Sequence, residues 1–349
     1  MNIAFIGFGG VGQALADILH ERKELLKQEY GLDTNVVAVS DVMKGAVYDP
    51  KGLDIPHLLE TAREHGSVEG YEHAQEYGWD SLQTIKESNA DLIVEVTFTD
   101  VKTGQPAIDH CVAAFENGKS VVTTNKGPIA LKLDELQKLA NDNNCFLGFE
   151  GTVMSGTPAL RLPKTTLMGN EIEEVVGILN GTTNYILTEM EKGLSFDDAL
   201  QQAQEFGYAE ADPTSDVEGY DVRYKTAILS RYIMNEPIDA LEIPCQGISH
   251  ITQEMIQEAL EYGQRWKLLA RVKKTAEGIE AVVQPERVNI EHPLAGVQGA
   301  TNAILYECDL SGPIMLTGAG AGLKETGFAL LIDIIHGHQA NHKNSYIAR

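Results

Sequence analysis

Asn2-Ile3-Ala4-Phe5-Ile6-Gly7-Phe8-Gly9-Gly10-Val11-Gly12 is the stretch that decides the fold. Five residues of mostly apolar character, Asn2 to Ile6, suit a buried strand. A helical pattern follows through Ala14, Leu15, Ile18 and Leu19 to about Gln28. Between them Gly7, Gly9 and Gly12 fill the spacing G-x-G-x-x-G. In such a turn the first glycine permits the tight bend and the second lets backbone approach a pyrophosphate. The third lets helix and strand pack closely. The helix N-terminus presents N–H groups and the positive end of its dipole to the phosphates. Strand, glycine turn and helix in that order predict a dinucleotide site formed by Gly7, Phe8, Gly9, Gly10, Val11 and Gly12.

The same alternation continues outward. Val36 to Val39 reads as a strand ending at Ser40-Asp41, and Asp91 to Val96 and Ser120 to Thr124 read as two more. A helix between the last two carries Ile108, Cys111, Val112 and Phe115 on one face and stops near Gly118. A further helix, Leu133 to Asn141, leads to a strand at Cys145 to Phe149. Residues 1–150 therefore read as a doubly wound, parallel α/β domain of Rossmann type.

Beyond Gly151 the pattern changes. A strand at Glu171 to Leu179, a helix at Asn184 to Lys192 and a long helix after Asp216 precede strands at Leu268 to Lys273, Gly278 to Pro285 and Thr301 to Asp309. Helices followed by a run of strands predict an α+β domain for substrate binding and dimerisation over 151–310. A second glycine-rich turn, Gly318 to Gly322, precedes a helix through Phe328, Leu331 and Ile335, so that 311–349 is expected to return to the first domain.

Composition narrows the function. Of 349 residues 43% are hydrophobic and 22% charged, as in an ordinary globular enzyme. Asp and Glu outnumber Lys and Arg by 51 to 27, a net charge of −24, which argues against nucleic acid as a partner. No apolar run suits a membrane span, and the opening residues lack the positive region of a signal peptide, so a cytoplasmic location is expected. Cys111, Cys145, Cys245 and Cys308 lie far apart and show no metal spacing, as for reduced thiols. His336, His338 and His342 lack accompanying ligands at zinc spacing and read as helix-end and tail residues.

Asp41, at the end of the second strand, is placed to accept from a ribose 2′-OH, which favours NAD. It comes later than the usual spacing, and Lys44 is near enough to meet a 2′-phosphate, so NAD and NADP both stay open.

Residues 203–225, AQEFGYAEADPTSDVEGYDVRYK, are dense in carboxylates. Pro213 favours a turn after Asp212, and Asp216 suits the N-cap of the next helix. Val217, Tyr220, Tyr224, Ala227 and Ile228 would line its buried face. Asp221 and Lys225 fall one turn apart. By spacing alone, a solvated i,i+4 ion pair describes them better than a catalytic pair does.

The segment as a whole resembles the signature of the homoserine dehydrogenases. Ala203, Gly207, Tyr208, Asp212, Pro213, Asp216, Gly219, Asp221 and Lys225 stand at its fixed positions. In the same order along the chain, Thr123-Thr124-Asn125-Lys126 resembles the family's T-x-N-K strand end. Glu150 to Pro158 resembles its E-x-T-V-x-x-G-x-P loop, departing from the commoner form at Met154 and Ser155. Gly177 to Tyr185 resembles its G-I-L-N-G-T-x-N-Y segment, and Gly318 to Thr326 its late glycine loop. The resemblance spans nearly the whole chain and includes neither a fused aspartate kinase nor an ACT domain.

What the resemblance implies is an NAD(P)-dependent enzyme that interconverts L-aspartate 4-semialdehyde and L-homoserine in threonine and methionine biosynthesis, acting as a homodimer. Aldehyde reduction needs a hydride donor and a group that polarises the carbonyl and supplies a proton; a desolvated lysine can do the second. By resemblance Lys225 is the acid/base, Asp221 positions it, and Lys126 is a second group on substrate or nicotinamide. Glu210 would bind the substrate ammonium with Asp216 in support, and Thr182 and Gly181 would contact the amino acid. Thr97 and Gly318 join the cofactor side. Backbone carbonyls of Glu150, Val153, Ser155 and Thr157 would bind a sodium ion, since carbonyl oxygens suit a hard cation. A different amino-acid dehydrogenase shares the glycine loop but offers no account of residues 203–225. A non-catalytic cofactor sensor would lack one of Glu210, Asp221, Lys225 and Lys126, and all four are present.

Overall fold

The computed structural model describes residues 1–347, and side chains through residue 340. Within it the chain separates into two compact units, residues 1–152 with 322–349, and residues 153–321.

The first unit begins with β1 (Asn2–Ile6), whose Ile3, Ala4, Phe5 and Ile6 are all fully buried. A strand apolar on both sides belongs in the middle of a covered sheet. After the glycine turn come α1 (Gly10–Glu21) and α2 (Lys23–Tyr30). The expected single helix to Gln28 is broken at Arg22, where φ is −100° and ψ 7°. The second piece ends at Gly31, whose φ of +65° suits a glycine stop. There follow β2 (Asn35–Asp41), β3 (Gly45–Tyr48), α3 (Ile55–His65), β4 (Glu76–Tyr77) and α4 (Ser81–Glu87). The unit continues with β5 (Leu92–Glu95), α5 (Ala107–Glu116), β6 (Ser120–Thr123), α6 (Lys126–Asp142) and β7 (Leu147–Gly148). The helix expected from Leu133 starts earlier, at Lys126, and is kinked at Lys132.

The seven strands lie in the order β4-β3-β2-β1-β5-β6-β7. Strands β2, β1, β5, β6 and β7 run parallel, and β3 and β4 add an antiparallel edge. This is the Rossmann-type doubly wound sheet. Its order reverses between β1 and β5, and ligands in such sheets bind in the crevice at that point, outside the carboxyl ends of the strands.

The second unit contains α7 (Gly151–Met154, whose first two residues precede the division), α8 (Arg161–Thr165), β8 (Ile172–Ile178), α9 (Gly181–Glu191), α10 (Phe196–Glu205), α11 (Thr214–Val217), α12 (Tyr220–Tyr232) and α13 (Gln253–Glu261). The long hairpin β9 (Gln264–Thr275) and β10 (Gly278–Asn289) follows, then β11 (Thr301–Cys308) and β12 (Gly312–Ala319). They form an antiparallel sheet ordered β10-β9-β8-β11-β12. Val176, Ile178, Leu269, Val288, Ala303 and Leu305 pack in one apolar cluster of this unit. β12 pairs with β11 from Cys308↔Gly312 to Thr301↔Ala319, so the chain leaves the unit after Ala321 rather than near residue 310. Gly318, expected in a turn, is part of this strand.

Helix α14 (Leu323–Ile347) rejoins the first unit, where it packs against α1, β6 and β7. Leu330, Leu331, Ile334 and Ile335 enter the core that contains Leu15, Ile18 and Leu19, whereas Phe328, expected on that face, is exposed. His336 and His338 lie in the helix, and the side chain of His342 is outside the described residues. Among the described residues the four cysteines form no disulfide, no cluster of His, Cys, Asp and Glu could hold a metal ion, and no helix is long and apolar enough to cross a membrane.

Candidate active site

The glycine turn of the first unit is dictated by its own packing. Gly7 has φ +93°, and a Cβ there would stand 2.6 Å from the Val96 carbonyl oxygen. A Cβ on Gly12 would stand 2.9 Å from the Gly7 carbonyl oxygen. Any side chain at Gly7 would combine a forbidden conformation with a backbone clash. Gly9 differs, because nothing lies within 4 Å of its Cβ position. Backbone is thus open to a ligand at the N-cap of α1, where no side chain caps the helix. That combination fits a dinucleotide pyrophosphate. Phe8 is buried below, packed edge-on against Phe5.

Asp41 ties this turn to the end of β2. Its Oδ2 accepts from the Phe8 N–H at 2.7 Å, and its Oδ1 accepts from Met43 N–H at 2.8 Å and Lys44 N–H at 2.9 Å. The carboxylate therefore stands beside the glycine loop and takes up two of the amides that turn the chain into β3. The apolar side chains of Val42 and Met43 next to it are exposed.

At the carboxyl end of β5 lies a residue that sequence reasoning passed over. Glu95 is wholly buried. Its Oε1 accepts from the Thr97 hydroxyl at 2.5 Å and backbone N–H at 3.4 Å, and stands 3.2 Å from His110 Nδ1. Its Oε2 accepts from the Thr123 hydroxyl at 3.3 Å and from the Asn125 amide. The only available signal was a charge inside the apolar run Leu92-Ile93-Val94-Glu95. Thr97 and Lys126 are both half-exposed beside this cluster, with Lys126 opening α6 directly after Asn125.

In the second unit the groups converge on the N-terminus of α9. Asn180 caps that helix, its Oδ1 accepting from Thr183 N–H at 2.9 Å. Its Nδ2 donates to Asp216 Oδ1 at 2.7 Å and to Asp221 Oδ2 at 3.2 Å. The Thr182 hydroxyl donates to the Tyr208 carbonyl at 2.6 Å and stands 3.4 Å from Asp216 Oδ2. The Lys225 ammonium is 2.7 Å from Asp221 Oδ2 and donates to the Leu179 carbonyl, also at 2.7 Å. With the Lys225 side chain 7% exposed and that of Asp221 16%, this is no solvated surface pair. Burial, aided by the Asp221 charge, pushes the Asp216 carboxyl above the ordinary aspartate range; the Asn180 amide, the Lys225 ammonium and the Thr182 hydroxyl oppose the shift. Asp216 is not the expected N-cap. It lies inside α11, and α12 starts instead from Gly219 at φ +79°, a left-handed conformation that glycine adopts readily and aspartate does not. Tyr220, expected on the buried face, is exposed.

Comparison with known proteins decides among the enzymes that could use such a site. Residues 158–335, more than half of the chain, match the family model described as homoserine dehydrogenase. A relative from Pseudomonas canavaninivorans, an NAD(+)-dependent homoserine dehydrogenase, is 45% identical over 344 residues, covering 97% of this chain and 96% of the relative. The chain belongs to the homoserine dehydrogenase family. The crystal structure of a putative homoserine dehydrogenase from Archaeoglobus fulgidus is similar with a TM-score of 0.87 and 34% identity, over 96% of this chain and 98% of that one. A hyperthermophilic archaeal homoserine dehydrogenase in complex with NADPH gives 0.84 and 30%, over 97% and 98%. Residues 1–101 also match the model for glutamate, leucine, phenylalanine and valine dehydrogenases, a likeness confined to the stretch that holds the glycine turn.

As a homoserine dehydrogenase the chain gathers Asp216, Asp221, Lys225 and Thr182 at one point, with Gly181 opening α9 beside them. A Cβ on Gly181 would stand 2.7 Å from the Ala300 carbonyl oxygen. Glu210 stands exposed on the loop between α10 and α11. Asn180 was missed as a site residue, although an asparagine before Gly-Thr-Thr carries a capping signal. Lys267, on β9, was not singled out from the sequence either. It is fully buried, donates to Asn184 Oδ1 at 2.9 Å and to the Val297 carbonyl at 2.5 Å, and burial lowers its pKa to about 8. Asn184 in turn donates to the carbonyls of Val297, Gly299 and Thr301, which holds that loop against α9. For the expected cation ligands, Glu150 belongs to the first unit and Val153, Ser155 and Thr157 to the second. Ser155 takes a positive φ of +50°, an uncommon conformation for a non-glycine residue.

Proposed function

We propose that this chain interconverts L-homoserine and L-aspartate 4-semialdehyde, with Lys225 as the acid/base on the reacting oxygen. The buried Lys225–Asp221 pair carries this reading. Asp221 and the Leu179 carbonyl hold the ammonium at two points, which fixes where its proton is delivered. Asn180, whose amide bridges Asp216 and Asp221, fixes Asp221 in turn, and the two carboxylates suit a substrate ammonium, with Glu210 completing its recognition. Thr182 and the Gly181 backbone face the amino-acid portion.

A nicotinamide dinucleotide would supply the hydride. Gly7, Phe8, Gly9, Gly10, Val11 and Gly12 would receive its pyrophosphate, and Thr97, Lys126 and Gly318 would attend its nicotinamide half. Asp41 favours NAD over NADP. Its negative charge opposes a 2′-phosphate, and it occupies the Met43 and Lys44 amides that would otherwise serve such a phosphate. The carbonyls of Glu150, Val153, Ser155 and Thr157 would hold a sodium ion, and the enzyme would act as a cytoplasmic homodimer; both rest on the resemblance set out above. Assays of L-homoserine oxidation with NAD and NADP separately, with and without sodium, test the reading. Absence of turnover by folded protein with either cofactor removes it.

A further inference from the structure

Glu95 is an expensive residue to bury. A charge taken out of water costs several kcal/mol unless it is paired and hydrogen-bonded. Its strand neighbours Leu92, Ile93 and Val94 show what the position would hold if it served packing alone. Four donors converge on it instead, the Thr97 N–H and hydroxyl, the Thr123 hydroxyl and the Asn125 amide, and His110 Nδ1 stands 3.2 Å away. A carboxyl group accepts at about four sites, and these contacts use them.

The donors also share a location. Thr97 lies on the segment leaving β5, and Thr123 and Asn125 lie at the end of β6. The Asn125 amide donates as well to the Thr97 carbonyl at 3.0 Å, which cross-links the two exits. Glu95 pairs with Ile6 on one side and Thr123 on the other, one residue below the Gly7 turn. Asn125 is the N-cap of α6, and its side chain serves Glu95 and Thr97 rather than the helix.

We propose that Glu95, held by His110, is a positioning residue that fixes Thr97 and the Asn125-Lys126 helix start against the nicotinamide half of the cofactor. It sets the geometry of hydride transfer without touching the cofactor. This rests on the dinucleotide reading of the glycine loop. Gln at position 95 keeps the shape but turns an N–H₂ toward donors whichever way it is placed, so either Thr97 or Asn125 is released.

The test compares E95Q, H110A and H110N with the parent enzyme for affinity toward NADH and ADP-ribose, melting temperature, and kcat and KM for homoserine. ADP-ribose lacks the nicotinamide and reports the glycine-loop side alone. In E95Q the NADH affinity falls about tenfold and kcat about a hundredfold, as for a misplacement near 1 Å, while ADP-ribose binding and the homoserine KM stay close to the parent's. H110A shows the same pattern more weakly, and H110N, whose amide keeps a donor toward Glu95, recovers. A lowered melting temperature with an unchanged NADH to ADP-ribose affinity ratio and unchanged kcat overturns the proposal and leaves Glu95 a framework residue. Should E95Q fail to fold, the ratio in H110A against H110N decides by the same criterion. If the parent enzyme binds neither ligand, the dinucleotide reading itself has failed.

Discussion

Replacing Lys225 by Met keeps most of the side-chain volume and removes the charge. Two effects follow, and they differ in size and in kind. The first is on stability. The ammonium makes 2.7 Å contacts to Asp221 Oδ2 and to the Leu179 carbonyl. Withdrawing it strands a carboxylate that is only 16% exposed and already shares the Asn180 amide with Asp216. Breaking one side of such a buried pair costs about 3 kcal/mol or more, against a few tenths for a solvated i,i+4 pair. The second effect is on rate. Loss of an acid/base lowers kcat by about 10²–10⁴, which is roughly 2.7–5.4 kcal/mol of transition-state stabilisation. Steady-state homoserine oxidation, normalised to the folded fraction from a melting curve in the same buffer, separates the two. The double variant Lys225→Met with Asp221→Asn should lose much less rate than the product of the single losses, because one unit is being removed twice. NADH affinity should persist throughout, since the glycine loop belongs to the other unit. A folded Lys225→Met enzyme with the parent's kcat would refute the assignment and move the acid/base role to Lys126.

Asp41→Ala should raise kcat/KM for NADP relative to NAD by about tenfold or more, as a nearby like charge is withdrawn and two amides become available. An unmoved ratio takes Asp41 out of the ribose site and makes Lys44→Ala the next variant to measure. Gly7→Ala should abolish NADH binding and cost about 2 kcal/mol or more of stability, because its Cβ would meet the Val96 carbonyl at 2.6 Å in a positive-φ conformation; retained binding in a titration would contradict that packing. Asp216 has its pKa raised in the folded state, so its stabilising contribution is complete below the unfolded aspartate value of about 4 and is lost as pH rises through the folded value. The melting temperature of Asp216→Asn relative to the parent should therefore climb as pH rises from below that range to neutrality. A difference independent of pH would mean that Asp216 is not titrating in this window.

The amino-acid order by itself determined the parallel part of the first unit's sheet, though not the antiparallel edge that β3 and β4 add. Gly7, Gly9 and Gly12 after an apolar strand, and the alternation behind them, leave few alternatives, because both signals are local: a turn that only glycine can make and a side-chain period that only one element type satisfies. Residues 203–225 likewise carried the family, since the spacing of Asp216, Gly219, Asp221 and Lys225 can be followed without coordinates. Helix ends were less legible. The break at Arg22 and the start of α12 at Gly219 depend on backbone angles that propensity alone does not fix.

Tertiary structure decided what those residues are worth. Spacing favoured reading Asp221 and Lys225 as a solvated pair; contacts with the Leu179 carbonyl and Asn180, which come from a segment about 40 residues earlier, make it a buried one. Glu95 is a single letter in an apolar run until the loops from β5 and β6 bring Thr97, Thr123 and Asn125 onto it, with His110 from α5. β12 joins its sheet only through long-range pairing with β11, which the expected boundary near residue 310 cut off. The reason is the same in each case. Burial, and the hydrogen bonds that burial makes obligatory, belong to contacts between residues far apart in sequence, and a local pattern carries no record of which distant groups will supply them.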